Sequence, residues 1–208
     1  VISDITELNR AKDALLRFEG ELALFNRVSR AFSSTLTLDQ ILITLMEEVR
    51  RLLEVTACSI WLVDPETNEL VCQQAIGPHK DTVLGWRLEP GQGIAGWVVN
   101  TGESLVVPDA WTDNRHFKGV DHQTGHPLRS ILSVPMRSKQ KVIGVLQVLD
   151  TEVDRFSPTD QALQELLATI ASIAIENARL YEHIRQDAST KEILLHEVNH
   201  RVRNTLDT

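Results

Sequence analysis

Cysteine is scarce in this chain: its 208 residues include two, Cys58 and Cys72. Two cannot build a disulfide scaffold, and the scarcity leads us to expect a reducing, cytoplasmic compartment. Long apolar runs are missing too. Val142 to Leu149 is broken by Gly144 and Gln147, far short of the ~18 apolar residues of a membrane-spanning helix. No basic-apolar-small leader opens the chain. Ten glycines and seven prolines are too few for a collagenous or disordered polymer. Positive charge is in deficit, and a net charge of −8 argues against a nucleic-acid-binding surface. The first residue is Val1 rather than Met, so the expectation is a piece of a longer protein.

The charge is unevenly spread. Residues 1–35 hold five acids and five bases, and residues 189–208 hold three of each, so all the excess acid lies in 36–188. Hydrophobic periodicity divides the chain in the same way. Leu8, Ala11, Leu15, Phe18, Leu22, Phe25, Ser29 and Phe32 step by three and four, a heptad seam that predicts a linker helix over 7–34. From 157 a second long helix is predicted, with Ser157 as N-cap and Pro158 at its first position. Its seam is Leu163, Leu166, Ile170, Ile173, Asn177, Leu180 and Ile184, then Lys191, Leu194 and Val198. Fifty helical residues would span roughly 75 Å, longer than a domain core, so this helix should leave the domain. Asn177 either fixes the register of a parallel dimer or is a surface polar residue.

Between the two helices the pattern is α+β. Ile41, Leu42, Leu45, Met46 and Val49 form one face of a helix capped near Thr37-Leu38-Asp39. Five strands are predicted, at 56–63, 70–75, 105–107, 130–136 and 141–149. Asp64 to Asn68 makes one turn and Arg137 to Gln140 a hairpin turn. The expectation is one antiparallel sheet with helices packed on a face.

Gly91, Gly93 and Gly96 spell GxGxxG. The motif is preceded by Pro90, Arg87 and Glu89 rather than a buried parallel strand, and no βαβ unit follows. It is therefore expected to be a tight turn into a helix rather than a phosphate cradle.

Several stretches, taken in order, resemble a GAF domain over about 33–182. They are Pro90 to Val99 with Thr101-Gly102-Glu103; Val107-Pro108-Asp109 and Asp113 to Phe117; Thr124-Gly125 and Arg129 to Met136; Val142 to Leu149; and Phe156-Ser157 through Tyr181. The resemblance implies a GAF-like antiparallel sheet flanked by helices, and a pocket between the sheet and the 109–128 loop. Small-molecule binding or transmission of a conformational change is the implied role. Trp86, Trp97, Trp111, Phe117 and Arg129 are the candidate lining, with core packing the alternative for the aromatics. His116, His122 and His126 share one loop and either meet a metal or are solvated; no metal is expected. The Asn-Lys-Phe-Asp-Glu run of cyclic-nucleotide GAF domains and a bilin-attachment cysteine in the 109–128 loop are both missing. Cys58 and Cys72 fall on strands, which speaks against a methionine sulfoxide reductase.

The ends carry further resemblances. Ile2 to Glu7 resembles the tail of a PAS domain, which implies an upstream sensor module. Glu197, His200, Arg201, Asn204 and Leu206 match the phosphoacceptor helix of HWE-like sensor histidine kinases. Arg203 stands where that group commonly has Lys, and Asn199 where it often has His. By position His200 is the acceptor, with His196 one turn earlier. Neutral imidazole is nucleophilic near pH 7, and Glu197, three residues away on a helix face, is placed to orient the ring or take its proton.

The organisation expected is 1–6 as the end of a PAS domain, 7–34 linker helix, 35–182 GAF domain, and 183–208 coiled-coil helix and start of the phosphoacceptor/dimerisation domain. The function implied is a signal-transmitting fragment of a two-component sensor histidine kinase, homodimeric through its long helices and facing a response regulator. ATP and Mg belong to a kinase domain outside this chain, and no cofactor is expected within it. The alternative is a small-molecule-binding GAF regulator of transcription or cyclic-nucleotide turnover.

Overall fold

The computed structural model describes residues 38–78, 80–117 and 128–181. The predicted linker helix and PAS tail, and everything expected of 183–208, lie outside them. The domain has three layers. Helix α1 (Leu38–Leu53) and helix α4, helical over the described residues 158–181, cover one face of a six-stranded sheet. Helix α3 (Gly93–Thr101) lies on the other.

The strands are β1 (Ala57–Val63), β2 (Leu70–Ile76), β3 (Arg87–Leu88), β4 (Leu105–Val107), β5 (Ser130–Ser138) and β6 (Lys141–Asp150), with a single-turn helix α2 (Lys80–Val83) between β2 and β3. Their order is β3-β2-β1-β6-β5-β4, and every pairing is antiparallel. The two edges are strands of two and three residues, short enough to offer little template for edge pairing.

The antiparallel sheet and the five predicted strands are present, with two corrections. β3 was not anticipated, because two residues carry no readable alternation. The hairpin turn is shorter than the predicted four residues. Arg137 pairs with Val142 and Ser138 with Lys141, so the loop is Lys139-Gln140, and Lys139 takes the left-handed φ of 54° that such a loop requires.

The period of two sorts the side chains. Cys58, Ile60, Leu62, Leu132, Val134, Met136, Leu146 and Val148 face α1 and α4 in one core cluster. The helix α1 supplies Ile41, Leu42, Leu45, Met46 and Val49, all buried, as its spacing predicted. Each fully buried side chain of this kind contributes roughly 1.5–3 kcal/mol.

The helix α4 is more divided than its heptad pattern implied. Its sheet-facing stripe is Gln164, Leu167, Ala168, Ala171, Ala174, Ile175 and Ala178, all buried. The predicted seam is split: Leu163 and Ile170 pack against the edge of the core, whereas Ile173 is 54% and Leu180 58% exposed. Four alanines let the helix lie close to the sheet, with Leu167 and Ile175 buried among them. The N-cap is as expected, with Ser157 Oγ accepting from the Asp160 amide at 3.3 Å while Asp160 Oδ2 accepts from the Ser157 amide at 2.8 Å.

Candidate functional site

On the sheet face away from α1 and α4, Ser59 and Trp61 of β1 stand opposite Gln147 and Val145 of β6, and Gln147 stands opposite Ser133 of β5. Here a cavity of about 110 Å³ opens over Ser59, Trp61, Ala75, Ile131, Gln147 and Leu149. It is walled by Ile94 and Ala95 of α3, by Val83, and by His116, Phe117 and Leu128. Most of the lining is hydrocarbon. Among the described residues its polar groups come from Thr56, Cys58, Ser59, Trp61, Lys80, His116, Gln147 and Thr151, and no carboxylate lines it. The site is built for a small apolar body with a few hydrogen-bonding points.

Buried polar groups in this layer are paired. Ser59 Oγ accepts from the Trp61 indole Nε1 at 2.9 Å, which leaves the serine proton for a further acceptor. Gln147 Nε2 donates to Ser133 Oγ at 2.7 Å. Phe117 closes one side, its ring meeting Trp86 edge-on with centroids 6.3 Å apart at 82°, a favoured aromatic arrangement.

The turn before α3 sets its position against the cavity. Gly91 and Gly93 take φ of 82° and 71°, which β-carbon-bearing residues rarely adopt. A β-carbon on Gly96 would stand 2.5 Å from the carbonyl carbon of Gly91. The three glycines thus fold a turn back onto its own helix, as the sequence predicted.

Of the expected lining, Phe117 is on the cavity wall. Trp86 stands behind it in the cluster around Trp61, Leu70 and Val98. Trp111 and Arg129 are not among the residues that line this cavity, and both are engaged elsewhere. Arg129 Nε and Nη2 grip the Asp109 carboxylate at 2.9 and 2.5 Å, and its guanidinium sits 4.4 Å from the Trp111 ring centroid. Trp111 is 54% exposed. The Arg129 hydrogen bonds hold the Asp109 carboxyl below the usual range, with the Trp111 amide assisting against partial burial. The clasp joins the residue before β5 to the second residue after β4. Trp97 is half-buried, with Arg115 5.0 Å from its ring centroid.

His116 lines the cavity, while His122 and His126 lie outside the described residues. No group of three metal-ligating side chains converges among the described residues. Glu197, His200, Arg201 and Asn204 also lie outside them. Sequence reasoning passed over Ser59 and Gln147. The signal was there: Gln147 is the one amide in the run Val142–Leu149, and a polar residue inside a buried strand needs a partner.

Both cysteines are buried. Burial pushes each thiol up to about 12, with Arg50 opposing slightly at Cys58. Protonated buried thiols are poor nucleophiles, as the placement on strands suggested.

The GAF domain family model matches residues 37–175. The chain belongs to the GAF domain family. A probable 3',5'-cyclic phosphodiesterase of Caenorhabditis elegans is 26% identical over 173 residues, covering 79% of this chain and 24% of that protein. The chain therefore spans about a quarter of that relative's length. Among solved structures, the GAF domain of a phosphoenolpyruvate-protein phosphotransferase from Coxiella burnetii superposes with a TM-score of 0.69 at 21% identity, over 79% of this chain and 98% of that one. The free methionine-R-sulfoxide reductase of Neisseria meningitidis, in complex with its substrate, gives 0.64 at 22% identity over 75% and 88%. At these identities the likeness establishes the fold alone. No helix among the described residues of this GAF domain is long and apolar enough to cross a membrane.

Proposed function

We propose that this GAF domain is a sensory module that takes a small molecule in the cavity between the sheet and α3. The observation that carries the reading is the mostly apolar cavity with Ser59 and Gln147 on its floor. Its volume of about 110 Å³ is below the ~150 Å³ that holds benzene in a buried site. A ligand smaller than benzene, of fewer than about six heavy atoms, fits it as it stands, and a cyclic nucleotide needs a wall to move. A regulator of cyclic-nucleotide turnover is the second reading, supported by the phosphodiesterase relative.

The output we propose is a phosphoacceptor histidine. Glu197, His200, Arg201, Asn204 and Leu206 carry the HWE-like pattern, and the outward apolar stripe of α4 supports a homodimer through the long helices. In this reading an ATP- and Mg-binding kinase domain phosphorylates His200, which passes the phosphoryl group to a response regulator. Ligand state in the cavity sets how readily His200 is reached.

The test supplies the chain with that kinase domain, fused or in trans. Labelling at one acid-labile, base-stable site is expected, lost in His200→Gln and largely kept in His196→Gln. Glu197→Gln should slow it by about ten- to a thousand-fold if the carboxylate assists the proton. Labelling that ignores both histidines would remove the kinase reading and leave the ligand-binding regulator.

A further inference from the structure

Two buried glutamines hold one spot in the sheet from opposite sides. On the cavity side, Gln147 of β6 donates to Ser133 of β5 at 2.7 Å, its direct cross-strand partner. On the helix side, Gln164 of α4, fully buried, donates through Nε2 to the carbonyl of Leu146 at 2.8 Å and that of Leu132 at 3.2 Å. The Leu146 carbonyl belongs to the same peptide group as the Gln147 amide nitrogen. The Leu132 carbonyl belongs to the same group as the Ser133 nitrogen. A peptide unit is planar and rotates as one body. Both side-chain amides thus bear on the same two peptide planes, Gln164 directly through their carbonyls and Gln147 through the residues that carry its bond to Ser133.

The Gln164 amide is also strained chemically. Its Oε1 is buried with no hydrogen-bond partner, and a buried unpaired acceptor is costly. Around it are alkyl groups of the α1–α4 core. An apolar residue would fill this place without that cost. Instead the position holds an amide that grips the two strands carrying Ser133 and Gln147.

We propose that Gln147 reads the polar head of a ligand in the cavity, and that the reading crosses the sheet through peptides 132–133 and 146–147 to Gln164, and so to α4. A ligand that bonds the Gln147 amide competes with Ser133. The two peptides, still held in the β5–β6 ladder, then settle at a slightly different tilt, and the grip of Gln164 on their carbonyls changes with them. The same route runs in reverse, since coupling between two sites is reciprocal. Gln147 and Gln164 are positioning residues for the signal. The inference rests on the cavity reading for its ligand, but the coupling itself is measurable without one.

The direct probe is the side-chain NH₂ of Gln164 in ¹⁵N NMR spectra of the 208-residue chain. Ser133→Ala removes the cavity-side bond with the least intrusion, and Gln147→Leu removes it from the other partner. Both should shift the Gln164 NH₂ resonances and speed their hydrogen exchange at least tenfold. Leu105→Val, directly across from Ser133 on the same face without a polar link, should leave them in place. Gln164→Leu should in turn move the Gln147 NH₂ resonances. Unchanged Gln164 signals in Ser133→Ala, in a spectrum that is otherwise native, would overturn the proposal. So would an equal response to Leu105→Val, which would mark general loosening of the sheet. Absence of any ligand would count against the sensory reading and leave this coupling result standing.

Discussion

The two cysteines give a prediction whose size follows from their burial. An ordinary thiol with a pKa of 9.0 is about 1% thiolate at pH 7, and one raised to about 12 is about 0.001%. The thiolate is the reactive form, so folding should slow alkylation of Cys58 and Cys72 about a thousand-fold before steric exclusion is counted. The side chains are each 1% exposed, which adds to the effect. Cys58 Sγ further donates to the Met46 carbonyl at 3.6 Å, and Cys72 Sγ to that of Gln74 at 3.6 Å, favouring the protonated form. The assay is iodoacetamide labelling at pH 7, native against urea-unfolded, read by intact mass. A linked effect appears in stability. The folded pKa is raised, so the contribution is complete below the unfolded pKa near 9 and is lost as pH rises toward 12, at about 1.4 kcal/mol per pH unit for each thiol. Labelling of either cysteine in the native chain within tenfold of the unfolded rate would refute the reasoning and reopen thiol chemistry for this domain.

Other substitutions test other parts of the account. Asp150 is burdened by burial, but amides of Glu152, Thr56 and Thr151 and the Thr56 hydroxyl outweigh it and hold the carboxyl below its ordinary range. Its stabilisation is therefore present above pH ~4 and lost as pH falls through the lower folded pKa. Asp150→Asn should cost about 1–3 kcal/mol in urea titrations at pH 7 and flatten the acid limb below pH 4. Gly96→Ala gains about 1 kcal/mol of helix propensity but meets the Gly91 backbone, so a net loss of about 1–2 kcal/mol is expected; net stabilisation would mean that the close approach is not obligatory. Ile173→Asp with Leu180→Asp changes two exposed positions. In the proposed homodimer it should give monomers in analytical ultracentrifugation while each domain stays folded by circular dichroism, with the midpoint lowered by the lost association, and dimers that persist would count against assembly through α4.

The layout of the sheet was legible because its strands are bounded by recognisable turns and its helix α1 shows a clean apolar face. The parts that were missed have physical reasons. β3 is two residues held by pairing with Leu70 and Val71, a tertiary effect with no local signature. The heptad seam of α4 passes through Ile173, which is exposed, because alanine carries little hydrophobic signal and the sheet-facing stripe is completed by Ala168, Ala171 and Ala174 between Leu167 and Ile175. The cavity was sought among tryptophans and an arginine, the residue types with the most conspicuous chemistry. Arg129 was instead taken by Asp109, twenty residues earlier, and Trp111 followed it to the surface. The floor residues Ser59 and Gln147 are inconspicuous in type and informative only by position, as polar groups within otherwise buried strands.

The proposed function requires the cavity over Ser59 and Gln147 to take a small molecule. The most direct measurement is a ¹⁵N NMR titration of the chain with a library of neutral and charged fragments of up to about six heavy atoms, beside cyclic AMP and cyclic GMP. At least one saturable series of shifts centred on Ser59, Phe117 and Gln147 is expected, lost in Ala75→Leu, which places three more carbons in the cavity. No saturable shift there from any compound, or shifts that survive Ala75→Leu unchanged in a folded chain, would contradict it.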